Sequence, residues 1–221
     1  MSRAHTDIPA ANGLQDVIDF GSGIELRGTR MQFGRNEEVF GEDEPAEYVY
    51  RVMSGAVRTM RFSSDGRRQI LGFHLPGDVF GLELSPTHTL SAEAVIPSDV
   101  VMVRRSLLDK AAAENTRAAH VVLELTASNL YSARDHAMML GRKGAGERVA
   151  AFLLRLADRA TSKLDFDLPM SRADIADYLG LTIETVSRTF SEMERQHTIA
   201  LPSSRHVVMK SRAALLELEA A

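Results

Sequence analysis

The stretch Met170–Arg188, MSRADIADYLGLTIETVSR, carries two helix starts and one helix stop. Ser171 has the chemistry of an N-cap, with Asp174 at the spacing of a capping box. Ile175, Ala176 and Leu179 then recur at helical spacing and predict one apolar stripe. Gly180 follows, the residue best suited to the left-handed conformation that ends a helix. Leu181 is placed to plug the corner, and Thr182 to cap a second helix running from Ile183 to about His197. Val186, Phe190 and Met193 face inward on that helix. Glu184, Ser187 and Arg188 lie three and four residues apart and so project together from the opposite face. At ~1.5 Å per residue, the step from Glu184 to Arg188 covers ~6 Å, about two base steps of a duplex. Arginine reads guanine O6 and N7 with two bonds, and glutamate accepts from cytosine N4. Ser187 is small enough to admit a thymine methyl group. Ser171, Thr182, Ile183 and Thr185 flank these residues and are candidates for contacts to the DNA backbone or minor contacts to bases. The alternative is a plain helix pair closing a small core. Beyond it, Ile199–Met209 reads as two short strands around a Pro/Ser turn, which fits the wing of a winged helix.

The chain has 221 residues, enough for one large or two small domains. It has no cysteine, which excludes disulfides, thiolate metal sites and cysteine-ligated iron–sulfur clusters. It has no apolar run of membrane-spanning length, and its first residues lack the apolar core of a signal peptide, so a cytoplasmic protein without a membrane partner is expected. Arg142 to the end holds 12 Lys/Arg and 11 Asp/Glu, a net +1 within a chain of net −4. Binding to nucleic acid therefore has to rest on a few placed contacts and on two copies acting together.

Residues 1–25 show little periodicity and read as a lead-in. Residues 26–115 carry short β-rich runs at Val49–Met53, Ala56–Phe62, Gln69–Leu75 and Val100–Arg104. Turn signals at Gly55, Ser63–Gly66 and Leu75–Asp78 separate them, which predicts a double-sheet β-roll or jelly roll. From Ser106 to about Met139 apolar residues recur at threes and fours, as in one helix or a short helix followed by a long one. Within residues 116–141, the stripe Val121, Val122, Leu125, Ser128, Asn129, Ser132 and His136 predicts a seam with the same helix of a second chain. The other possibility is that this stripe packs on its own β-roll. Gly141–Gly144 reads as a hinge. Residues 142–221 then begin with a helix buried through Val149, Phe152, Leu153 and Leu156. The fold class is α+β: β-roll, long dimerisation helix, winged helix-turn-helix.

This order of parts resembles the CRP/FNR family of bacterial transcription regulators over about Leu26–Leu216. The segment Asp174–Arg188 is its most specific element, supported by Leu75–Asp78 and Gly81. Glu184-Thr-Val-Ser-Arg188 is similar to the FNR-type recognition helix and not to the CRP type, since Ile183 and Ser187 replace the latter's Arg and Gly. The resemblance implies a cyclic-nucleotide-binding-like β-roll, a homodimer, double-stranded DNA with TTGAT half-sites, and RNA polymerase as a further partner. By it, Glu184 and Arg188 read the G·C pair and Ser187 the adjoining T·A side. It places polymerase contacts at Ser63–Arg67 and Ser162–Asp167.

No cofactor is expected. The family's cyclic-nucleotide site uses a Glu and an Arg-Ser pair; Glu83 stands near the first position, but Thr89–Ala92 holds no arginine. A phosphate there lacks the two-bonded, charge-assisted contact that selects it. The closest subgroup is FixK-like: FNR-type recognition without the cysteine cluster, tied to oxygen limitation, nitrogen fixation or denitrification. The open rival is an effector-gated regulator with a small ligand or haem in the β-roll. His74, His88, His120, His136, His197 and His206 are scattered with no metal-ligand spacing. A cupin-like metal enzyme would need a His-x-His pair that the chain does not have, and no catalytic residue is expected.

Overall fold

A computed structural model describes residues 15–20 and 24–220. Nine strands come first: β1 (Gln15–Asp19), β2 (Glu25–Phe33), β3 (Glu38–Phe40), β4 (Tyr48–Ser54), β5 (Val57–Phe62), β6 (Arg68–His74), β7 (Val79–Phe80), β8 (Ser91–Ala94) and β9 (Ser98–Arg104). Three helices follow, α1 (Arg105–Glu114), α2 (Thr116–Arg142) and α3 (Ala145–Arg159). Then come β10 (Asp165–Asp167), α4 (Arg172–Leu179), α5 (Ile183–Arg195), β11 (Ile199–Ser203), β12 (His206–Met209) and α6 (Arg212–Ala220). The roll strands form sheets ordered β1-β2-β9-β4-β7 and β3-β8-β5-β6. Among the described residues no helix is long and apolar enough to cross a membrane.

The first sheet is covered on both faces, and its sequence shows why. Alternate residues of a strand point to opposite sides. On β9, Val100 and Met102 enter one cluster with Phe40, Tyr50 and Phe80, while Val101 and Val103 enter another with Ile18, Leu108 and Val121. A strand buried on both faces reads as an unbroken apolar run, as Val100–Val103 does. The lead-in expectation is corrected from Gln15 on. β1 pairs antiparallel with β2, and Ile18 and Phe20 are buried in the second cluster. Residues 1–14 of that expected lead-in lie outside the described residues.

The chain divides into two compact units. One takes the described residues up to Val57 and His74–Ser128; the other takes Arg58–Phe73 and Asn129 onward. The β5–β6 hairpin thus belongs with the helix-turn-helix, although it lies within the expected 26–115 domain. The long helix was expected over 116–141; α2 spans Thr116–Arg142, and the break falls at Lys143–Gly144.

The residues of the expected dimer stripe differ in burial within the single chain. Val121 is 4% exposed in the apolar cluster of the first unit, with Val122 and Leu125 partly buried against it. His136 is 5% exposed in the second unit. Val121 and His136 are therefore occupied within their own chain, whereas Ser128, Asn129 and Ser132 are open to solvent. The exposed large apolar residues of α2 are Leu123, Leu130, Tyr131 and Met138. At about 100° per residue Leu123 and Leu130 lie opposite Val121 and Leu125, with Met138 and Tyr131 on the flank beside them.

Candidate DNA-reading site

α4 begins as its sequence implies. The Ser171 hydroxyl accepts from the Asp174 N–H at 3.1 Å, and the Asp174 carboxylate accepts from the Ser171 N–H at 3.0 Å and its hydroxyl at 2.8 Å. Ser171 thus acts as both donor and acceptor in the cap of α4. Gly180 ends α4 at φ 62°, ψ 39°, and the Leu181 N–H returns to the Ala176 carbonyl. Thr182 caps α5 by accepting from the Thr185 N–H at 3.2 Å. The helix stops at Arg195, two residues short of the expected end, and His197 takes φ 57°.

Ile175, Ala176 and Leu179 are buried on α4, and Val186, Phe190 and Met193 on α5. This fixes the outward face of α5. Glu184, Ser187 and Arg188 are all exposed there, as are Thr182 and Ile183, with Thr185 half-buried. Glu184 sits in the first turn, where its own backbone N–H and the Thr182 hydroxyl hold its carboxyl below the usual range. It stays an ionised acceptor.

Several supporting residues were not legible in the sequence. Burial alone would raise the Asp174 carboxyl, but the Ser171 bonds and the Arg58 and Arg68 guanidinium groups outweigh it and hold it low. Arg148 donates to the carbonyls of Lys143, Leu179 and Leu140, each at 2.8 Å, so one cation satisfies the ends of α2 and α4. The His136 ring stacks on Tyr178 with centroids 4.1 Å apart, and its Nε2 bonds the Tyr178 carbonyl at 2.7 Å. The Arg172 guanidinium lies 3.4 Å over the Phe190 ring, joining the start of α4 to the middle of α5.

The expected wing is present as β11 and β12, paired antiparallel. Asp165–Asp167 adds a third strand, β10, on β12. His206 fastens it, with Nδ1 2.7 Å from Asp167 and Nε2 2.9 Å from Asp165. The Asp167 hydrogen bond raises its pKa.

In the roll, Glu83, near the first position of the family's cyclic-nucleotide site, bonds within its own chain. The Glu83 carboxylate accepts from the Thr89 N–H at 3.3 Å and hydroxyl at 3.2 Å. Arg105 donates to the carbonyls of Ser85 and Leu84. Among the described residues no group of three or more His, Asp or Glu side chains is placed to hold a metal.

Residues 147–218 match the family model for a Crp-like helix-turn-helix domain, and residues 30–115 match that for a cyclic nucleotide-binding domain. The nitrogen fixation regulation protein FixK of Azorhizobium caulinodans is 48% identical over 201 residues, 89% of this chain and 81% of that protein. FixK of Bradyrhizobium diazoefficiens is 44% identical over 182 residues, 80% of this chain and 77% of its own length. The structure of FixK2 from Bradyrhizobium japonicum superposes with a TM-score of 0.85 at 50% identity, covering 88% of this chain and 98% of that one.

The chain belongs to the CRP/FNR family. Its relatives and its Crp-like helix-turn-helix make it a FixK-like, DNA-binding transcription regulator and not an enzyme. The β-roll, long helix and winged helix-turn-helix of this regulator follow the architecture of its solved relative.

Proposed function

We propose that two copies of this regulator read a TTGAT-N4-ATCAA-like palindrome through Glu184, Ser187 and Arg188. One observation carries this reading. The three side chains share the exposed face of α5 while Val186, Phe190 and Met193 bury the other. Arg188 donates to guanine, the ionised Glu184 accepts from cytosine, and Ser187 lies against the thymine side. Thr182, Ile183 and Thr185, at the start of α5, lie beside these residues and make the accompanying contacts to the DNA backbone or minor contacts to bases. Ser171 contributes by setting α4.

A second copy docks along Leu123, Leu130, Tyr131 and Met138, the apolar side of α2 that its own chain leaves uncovered. The dimer works without cAMP, because the Glu83 carboxylate is taken by Thr89 and Thr89–Ala92 holds no arginine. An iron–sulfur cluster held by cysteines is impossible without cysteine. The named relatives regulate nitrogen fixation, and we assign this regulator the same kind of role, as an activator touching RNA polymerase through Ser63–Arg67 and Ser162–Asp167.

The test is selection of duplexes from a random pool by protein purified without nucleotide, at one fixed salt concentration. TTGAT half-sites in inverted repeat should be enriched. Enrichment only after cAMP is added, or of an unrelated sequence, would overturn the reading.

A further inference from the structure

The β5–β6 hairpin grips α4 through charge, from Arg58 near its base and Arg68 next to its turn. Arg58 Nη1 lies 3.0 Å from Asp174 Oδ1, and Arg68 Nη2 lies 2.7 Å from the same oxygen. Arg68 also reaches Asp177 Oδ2, through Nε at 2.8 Å and Nη2 at 2.7 Å. The Gln69 side-chain amide donates to the Asp177 carbonyl at 2.6 Å, and the Phe73 ring packs 5.2 Å from that of Tyr178. Arg58 and Asp174 are both nearly fully buried. The other carboxylate oxygen of Asp174 caps α4 through Ser171.

We infer that Arg58 and Arg68 are positioning residues for DNA recognition, acting through Asp174 and Asp177 to set the rotation of α4 and hence of α5. Buried ion pairs add little net stability once desolvation is counted, so stability alone gives little reason for this network. What it supplies is geometry. Asp174 and Asp177 stand three residues apart and share one face of α4. The Arg68 guanidinium is a rigid fork, able to meet both carboxylates only when that face is turned toward it. α4 passes its orientation to α5 through the Gly180 turn and the Arg172–Phe190 contact. The hairpin thus holds the reading head in one pose with no ligand needed.

This rests on the proposed DNA reading, and the test separates the two. Binding of Arg68→Gln, Arg68→Lys, Asp177→Asn and the double variant Arg68→Gln/Asp177→Asn is measured on the duplex selected by the unaltered protein. Dimerisation and thermal unfolding are followed in parallel. Arg68→Gln should weaken binding at least ten-fold while the protein stays folded and dimeric. The slope of log Kd against log salt should not change, because no phosphate contact is lost. Arg68→Lys, which keeps the charge but not the fork, should recover little of the loss, and the double variant should lose no more than Arg68→Gln alone, as expected of residues acting as a unit. Asp177, at the more exposed end of the network, provides a mild variant should Arg68→Gln fold poorly. Binding of Asp177→Asn and the double variant within two-fold of the unaltered protein, even with a lowered melting temperature, would overturn the inference and leave the DNA reading intact. A salt slope reduced by about one would overturn it too, by making Arg68 a phosphate contact. No sequence preference in the unaltered protein would overturn both.

Discussion

Arg188 and Glu184 stand one turn apart on α5, so a single substitution separates base reading from charge attraction. Arg188→Ala should cost ~1–3 kcal/mol per half-site and relax preference at one base pair, with other positions read as before. Competition binding against single-base variants of the palindrome checks this. Equal weakening on all duplexes would make Arg188 a phosphate contact. These residues were legible because their evidence is local. A cap, a glycine and a three–four spacing fit within nineteen residues, and Gly180 indeed sits at φ 62°. Arg58 and Arg68 were not legible, because their partners lie 116 and 106 residues away in the chain. An arginine in a strand carries no mark that it will be buried against a helix.

Elements were harder to read wherever one stretch offers two faces. α2 has one apolar stripe at Val121 and Leu125 and another at Leu123, Leu130, Tyr131 and Met138. Periodicity finds both, and only packing of the first into the roll tells which is left over. Leu130→Glu should therefore disrupt a dimer while leaving the monomer folded, whereas Leu125→Glu should damage the roll as well. Sedimentation with circular dichroism distinguishes these outcomes, and a Leu130→Glu protein that remains dimeric would rule out this face. β1 escaped notice because its polar alternation, Gln15, Asp16 and Asp19 around Val17 and Ile18, hides an edge strand. Arg148 shows the converse, a charged residue whose role is to end two helices. Arg148→Met should cost about 2–3 kcal/mol, since three inward-facing carbonyls lose a charged donor. Denaturant titration measures this, and a loss below ~0.5 kcal/mol would mean that water replaces the guanidinium.

Across the whole molecule, buried histidines set the response to mild acid. Burial lowers the pKa of His88, stacked 3.7 Å from Phe40, despite the nearby Glu83 and Glu44. Burial also lowers His136, despite its bond to the Tyr178 carbonyl. A depressed folded pKa means that stability is full above the unfolded value of about 6.5 and is lost as pH falls through the folded one. His206 works in the opposite sense. Its raised pKa adds stability below about 6.5 that disappears as pH rises through the folded value. Unfolding free energy should thus fall between pH 7 and pH 5.5, less in His88→Phe and more in His206→Asn. A pH-independent His88→Phe loss would sever the link to protonation. The overall plan was legible because strands, a long helix and a winged helix follow one another in sequence. The exception is the hairpin Arg58–Phe73, which the chain assigns to the later unit and not to the strands around it. For anyone cutting this regulator into pieces, that detour decides what can be cut. A fragment starting at Asn129 or Arg142 keeps every residue of the helix-turn-helix, yet its Asp174 carboxylate is stripped of both guanidinium groups. No single scissile point frees an intact reading head. The smallest faithful portion is discontinuous, and a graft onto another scaffold has to carry sixteen residues from the middle of the roll with it.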